Sequence, residues 1–582
     1  MRRLLLALAF LLVAQAAWAD DAPVNRLVAD YEHWWLADDP FTAGREGDRA
    51  ALSKLPDVTP AADAARTRAL QGFEARLKAL PAHGLSDAAR LNRDVLAWTL
   101  ERRLKSLSFD EARMPFNSDS GFDEELDYFA DTTHLNDAAD ARAWIARLNG
   151  LPGYFAANVE NARRGVRERF TQPRTTVEAV IARARAEATR PVDGDPLLKP
   201  FDTLPQSMPQ AERAALKAEG AAIVRERIRP AQAAFLRFLQ SEYLPAARPS
   251  LAVRSLPNGE AYYRGLVADH TTTDLSPDQI HAIGVSEVKR IRAEMETVMR
   301  QTGFKGDLPA FVAMLRKDPR FYATSREDLL EKAALIVSRI EDKLPRYFGT
   351  LPRLPLAVRP VPREIEDTYT TGRYFEGSPK LGIAGGYMVN TSHLDQRPLY
   401  ELPALTLHEG VPGHHVQIAL AQELQNVPAF RRDADVTAFT EGWGLYAERL
   451  GEEMGVYRDP YERFGRLSYE MWRACRLVAD TGIHWLGWSL QEARACFTEN
   501  TALSPLNIEV ELARYISWPG QALAYKVGEL KIVALRRKAE AALGPRFDVR
   551  RFHDAVLLAG PLPLDLLEQR IDAWITTERA KR

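Results

Sequence analysis

With 582 residues, the chain is too long for one ordinary domain and long enough to bury a large core without disulfides or a structural metal. Hydrophobic residues make up 46% and charged residues 27%, a globular composition. The formal net charge of −2 leaves no basic excess, so nucleic acid and anionic membrane surfaces are excluded as expected partners.

Residues 1–19 read as a secretory signal: Arg2 and Arg3 supply the positive start, Leu4 to Ala14 the apolar stretch, and Ala17-Trp18-Ala19 a small-x-small cleavage site before Asp20. That stretch is too short for a permanent anchor, no cysteine stands beside the cleavage site, and no later segment approaches ~18 consecutive apolar residues. The mature chain is therefore expected to begin near Asp20 and to work outside the cytoplasm, periplasmic or secreted, with no stable membrane span.

Apolar residues at three- and four-residue spacing predict helices over 63–80, 91–107, 137–166, 176–188 and 211–239. Residues 189–196, rich in Pro, Gly and Asp, form a loop between the last two. The pattern breaks between Pro245 and Pro257, which divides the expected mature chain into an N-terminal helical domain, 20–250, and a second domain, 251–582. The second opens on a well-marked helix: Ser276 caps, Pro277 takes the first turn, and Gln279 completes a capping box.

Strand signals are few. Residues 356–361 are one short candidate, and residues 385–390, entered through two glycines, are another just upstream of the chemistry described next. As an exposed edge, the second strand would pair with an extended peptide; as a hairpin strand it would be structural only.

That chemistry lies in Leu405-Thr406-Leu407-His408-Glu409-Gly410-Val411-Pro412-Gly413-His414-His415. A zinc hydrolase helix ordinarily carries two histidines four residues apart, with a glutamate beside the first as general base. Here proline occupies the position of the second histidine, which is displaced to His414 or His415. A bulge at Pro412-Gly413 would bring His414 into place. His415 lies on the face of His408, but in a straight helix it is about 10 Å along the axis, too far to share one ion. A third ligand is needed, with a position left open for water. Glu441, in Thr440-Glu441-Gly442-Trp443-Gly444, heads the next helical pattern and fits that role, and Glu448, two turns on, could orient a ligand.

Cys475 and Cys496, the only two cysteines, could pair in an oxidising compartment. Arg476, Asp480 and His484 recur at four-residue intervals, as a buried ion pair with a neighbour or as substrate contacts. Tyr515 and Tyr525 are of the type that stabilises an oxyanion during attack on a carbonyl, or they are packed core aromatics.

Together with Asp480-Thr481-Gly482-Ile483-His484, Pro519-Gly520-Gln521-Ala522-Leu523, His270-Thr271-Thr272-Thr273 and Met114-Pro115-Phe116, the His408 and Glu441 segments resemble the bacterial domain of unknown function 885 family. The resemblance implies a gluzincin-type zinc peptidase: a mainly α, zincin-like fold with a small β-sheet beside the active-site helix and a deep channel. It also implies that Glu441-Gly442-Trp443 is similar to the segment holding the third ligand in aminopeptidase N-like enzymes. The Pro412-Gly413 insertion departs from their pattern. The expected function is hydrolysis of a peptide or small amide, with Zn2+ held by His408, Glu441 and His414 or His415, and with Glu409 as base. Tyr515, Tyr525 or His484 would contact the oxyanion or the substrate. The alternatives are a zinc hydrolase of non-peptide amides or esters, and a non-enzymatic periplasmic binding protein with a degenerate motif.

Overall fold

The computed structural model describes residues 20–581 apart from Glu46, Ala82, Asp119, Glu364, Ile365, Asp367, Thr368 and Leu381. The expected signal segment lies outside the described residues. The chain is mainly helical, and the helices begin where local capping chemistry lets them. After α1 (Ala22–Asp38), Thr59 caps α2 (Pro60–Ala79), Ser86 caps α3 (Asp87–Phe109) and Asp137 caps α4 (Ala138–Glu168), each through a side-chain oxygen that accepts from the first turn. The pattern over 211–239 is helical but not uniform: a wider turn at Val224–Ile228 precedes Pro230, where the ring displaces the regular ladder. The box at the head of α5 (Pro277–Gln301) is complete, with Gln279 N–H donating to Ser276 Oγ at 3.2 Å and Ser276 N–H to Gln279 Oε1 at 2.8 Å.

Three short strands form one sheet. β1 (Leu356–Pro360), β2 (Gly372–Phe375) and β3 (Gly385–Val389) are ordered β1-β3-β2, with β1 parallel and β2 antiparallel to β3. The expectation that residues 385–390 offer a free edge is thereby corrected. β3 is the central strand, with Tyr387 opposite Val358 on one side and Tyr374 on the other, and its ladder groups are committed. The edges are β1 and β2, and β2, with four residues, is too short to show a period of two.

The site helices follow: α6 (Leu402–Glu409), α7 (His414–Glu423), α8 (Thr437–Glu453), α9 (Pro460–Thr481), α10 (Leu490–Asn500), α11 (Pro505–Ser517) and α12 (Ala524–Leu543). A disulfide between Cys475 and Cys496, Cα atoms 5.7 Å apart, ties α9 to α10.

Two apolar cores hold these elements. The smaller gathers Phe41, Phe116, Trp144, Phe155, Phe235 and Tyr243. The larger joins Val24, Tyr31, Leu70 and Leu96 of the first helices to Leu407, Trp443, Leu477 and Ile571. The cores therefore do not divide at residue 250. Among the described residues, no helix is long and apolar enough to cross a membrane.

Candidate metal centre

The His-Glu helix is cut short by its own sequence. α6 ends at Glu409, the chain turns through Gly410 and a cis Val411–Pro412 bond, and α7 starts at His414. Pro412-Gly413 thus separates two helices instead of bulging from one. Gly413 is required at the turn, because a Cβ there would stand 2.0 Å from the carbonyl oxygen of His408 and 2.4 Å from that of Leu407. The turn is clamped from α8, where Trp443 Nε1–H donates to the Pro412 carbonyl at 2.9 Å.

The turn sends His414 back toward His408, their rings nearly perpendicular with centroids 4.7 Å apart. Glu441 meets both: its Oε2 lies 3.3 Å from His408 Nε2 and 3.4 Å from His414 Nε2. One ligand atom from each of the three falls within 4.8 Å of the others. Tetrahedral zinc bonded at about 2.0–2.1 Å sets its ligand atoms about 3.3–3.4 Å apart. The donor set, two imidazoles and a carboxylate, and these two separations fit zinc. On the far side of His408, Nδ1 lies 2.9 Å from Glu448 Oε1, the outer hydrogen bond that fixes the tautomer and ring of a ligating histidine. Glu448 is itself held by Arg473 at 3.3 Å. Gly444 lets α8 approach this closely, since a Cβ there would be 2.7 Å from His408 Cε1.

The charges agree with this geometry. Burial opposes charging His408, but Glu441 and Glu448 outweigh it and lift the imidazole to about 9. Burial alone would raise Glu441, yet His414 and His408 hold its carboxyl well below the usual carboxylate range. Glu409 lies beside this cluster, with its Oε2 accepting the Tyr374 N–H of β2 at 2.8 Å.

His415 points elsewhere. Its Nε2 donates to the Leu354 carbonyl at 3.0 Å, and its Nδ1 accepts from the Tyr374 hydroxyl at 3.2 Å. Burial pushes it down to about 4, so it is neutral and fully engaged at neutral pH. Of the two histidines that the motif allows, the fold brings His414 to Glu441.

Tyr525, at the head of α12, belongs to the cluster: its ring lies parallel to that of His408 with centroids 6.4 Å apart. Arg514 Nη2 donates to its hydroxyl at 3.1 Å, and Arg476 lies over its ring at 4.2 Å. Tyr515 and His484, expected as oxyanion or substrate contacts, are not brought there. The Tyr515 hydroxyl is buried, accepting from Arg476 Nε and Trp472 Nε1 and donating to Glu511 Oε2. His484 Nε2 donates to the Tyr515 carbonyl at 2.8 Å, its Nδ1 accepts from Val253 N–H, and burial pushes it down to about 3. Arg476 pairs with Glu511 at 2.8 Å, whereas Asp480 receives the Tyr263 hydroxyl and Gly520 N–H, so no Arg476–Asp480 ion pair forms.

The residue missed by sequence reasoning is Tyr374, which holds Glu409 by its backbone and His415 by its side chain. Two residues on, the exposed Glu376 carboxyl is raised by the desolvating protein around it and feels Arg45, Asp433, Arg373 and His414.

The bacterial protein family of unknown function DUF885 matches residues 40–571. The chain is similar to a "putative lipoprotein" from Colwellia psychrerythraea, with a TM-score of 0.90 and 26% identity over 96% of this chain and 99% of that one. A "putative lipoprotein" of unknown function from Shewanella oneidensis has a TM-score of 0.73 at 19% identity, over 94% of this chain and 99% of that one, and shares the fold. No curated protein matches the sequence at a significant level.

Proposed function

From a chain that belongs to the DUF885 family, we propose a zinc-dependent peptidase that acts outside the cytoplasm. The observation that carries the proposal is the convergence of His408, His414 and Glu441 beside Glu409, from helices broken and crossed so that these side chains meet. Zinc, when bound, would acidify a water molecule and polarise the substrate carbonyl.

The chain's own groups do the rest. Glu409 takes the proton of the attacking water and delivers it to the leaving amine as the C–N bond breaks. The Tyr374 N–H keeps that carboxylate aimed while it changes protonation state. Glu448 fixes the His408 tautomer, and His414 and Glu441 complete the ligand set. The Tyr525 hydroxyl, supported by Arg514, is the phenol that would stabilise charge on the substrate oxygen. We read the fold as zincin-like and the water beside His414, Arg373 and Glu376 as the channel that admits substrate, with the outer edge of β2 as the rail on which an extended peptide lies. Export is supported by the Cys475–Cys496 disulfide, which favours an oxidising compartment.

The test combines metal analysis of the purified protein with digestion of a peptide library read by mass spectrometry, beside a panel of esters. The expected result is one zinc per chain and peptide cleavage that Glu409→Gln lowers about 10²–10⁴-fold with zinc retained. Cleavage of esters alone would move the activity to a non-peptide hydrolase. Absence of stoichiometric zinc, with products unchanged by Glu409→Gln, would sink the enzyme reading.

A further inference from the structure

Two tyrosines near the end of the chain are gripped by arginine, and only one of them keeps its hydrogen to give. Glu511, Arg514 and Tyr515, three and four residues apart, share one face of α11, with Trp518 just past its end. The chain then turns through Gly520, whose φ of 86° is one that glycine adopts freely and whose N–H is accepted by both Asp480 oxygens, at 3.2 and 3.0 Å. That turn brings Gln521 and Tyr525 back beside Arg514. Arg514 Nη2 donates to Gln521 Oε1 at 2.8 Å and to Tyr525 Oη at 3.1 Å, and its guanidinium lies 5.6 Å from the Trp518 ring.

The residue types fix the direction of these hydrogen bonds. A phenol has one hydrogen to donate, whereas a guanidinium has donors only and accepts nothing. The Tyr525 oxygen therefore accepts from Arg514, and its own hydrogen must point elsewhere. Among the described residues, no group accepts that hydrogen. Tyr515 is the contrast. Its oxygen also accepts, from Arg476 Nε at 2.8 Å and Trp472 Nε1 at 3.0 Å, but its hydrogen goes to Glu511 Oε2 at 2.8 Å. Tyr515 is thus closed by a carboxylate, while Tyr525 faces an arginine and stays open. Arg476, 4.2 Å over the Tyr525 ring, holds the plane of a phenol that lies parallel to the His408 imidazole. In the resting site solvent can take the free hydrogen; during attack on a carbonyl the substrate oxygen replaces it.

We propose that Arg514 is a positioning residue of this site: it occupies the Tyr525 oxygen from a side that offers no acceptor, and so reserves the phenolic hydrogen for the substrate oxygen, with Gln521 holding the guanidinium in place. The inference rests on the hydrolase reading above, because the oxygen served is that of the carbonyl under attack.

The test is a double-mutant cycle on the full chain, with the substrate that the wild type cleaves fastest in the peptide library and ester panel. Arg514→Met and Tyr525→Phe should each lower kcat about 10²-fold, the cost of one oxyanion donor, with zinc content and Tm kept. KM should stay within about threefold, since the hydrogen bond forms only as charge develops. In the Tyr525→Phe background, Arg514→Met should cost nothing more, because its effect passes through the hydroxyl. Both variants should also bind a phosphinic peptide, a mimic of the tetrahedral state, about 10²-fold more weakly. Should Arg514→Met not fold, Gln521→Leu, which frees the guanidinium from its other anchor, should lower kcat several-fold in the wild type and not in the Tyr525→Phe background. Additive losses in an active, zinc-loaded protein, or an unchanged kcat on Arg514→Met, overturn the inference alone. A wild type that holds no zinc and cleaves neither peptide nor ester overturns the hydrolase reading and the inference with it.

Discussion

Two adjacent histidines have opposite fates, and the difference is measurable. His414 Nε2 sits 3.4 Å from Glu441, whereas both ring nitrogens of His415 are consumed by Tyr374 and the Leu354 carbonyl. His414→Ala should therefore lose stoichiometric zinc while unfolding at nearly the denaturant concentration of the zinc-free wild type. His415→Ala should keep its zinc but lose about 1–3 kcal/mol of stability, because a buried carbonyl and hydroxyl are left unmatched. Metal analysis and urea titration of the two variants separate these outcomes, and the reverse assignment would show as an exchange of phenotypes. The meeting of His408 and Glu441 was legible in the sequence because residue type singles both out, His408 beside Glu409 at the end of one helix and Glu441 near the start of another. The choice between His414 and His415 was not, because it depends on the direction of a turn set by a Gly413 contact and by Trp443, thirty positions away along the chain. Tyr515 and His484 had the right chemistry for a site, but their partners, Arg476, Trp472 and the Val253 N–H, come from elements whose packing no local spacing announces.

At the scale of elements, the site depends on how closely α6 and α8 approach. Gly444→Ala would place a Cβ 2.7 Å from His408 Cε1, and neither a ring packed against the helix nor the helix backbone can yield cheaply. We expect a loss of about 1–3 kcal/mol in stability and weaker zinc binding, both measurable by denaturant titration of the apo and loaded protein. The start of α6 carries a pH signature as well. Burial raises the Glu401 carboxyl from the usual 4.5 to about 8. Between those values the folded chain keeps a proton that the unfolded chain has released, so stability falls as pH rises through that window. Glu401→Gln should flatten this slope between pH 5 and 8 in urea titrations, and an unchanged slope would show that Glu401 is not its source. Helices with capping residues were legible because a cap is satisfied within four residues. The order of the strands was not: Gly385 to Val389 carries no sign of which sides are paired, and one of the two edges is a four-residue segment between loops.

The whole molecule couples its termini in a way that composition conceals. The break in pattern between Pro245 and Pro257 is real, but it marks only a change of local structure. Which residues share a core is decided by contacts hundreds of positions apart. Tyr31 packs edge-on against Phe430 with centroids 5.7 Å apart, Arg431 Nη1 donates to Asn92 Oδ1 at 2.6 Å, and Arg102 pairs with Asp269. The first helices thus lie against the segments Gly259–Thr271, Ala429–Arg432 and Leu564–Ala580 and join the larger core. A fragment of residues 251–581 would expose that apolar surface and leave Arg431, itself buried, without its Asn92 partner. It should therefore show helical far-UV circular dichroism without a cooperative thermal transition, bind a hydrophobic dye, and be cut rapidly by protease. Adding back a separate 20–250 chain should restore the cooperative transition if the interface is as continuous as the contacts indicate. A sharp transition in the isolated fragment would instead mean that residues 251–581 carry their own sufficient core and that the N-terminal helices are an accessory layer.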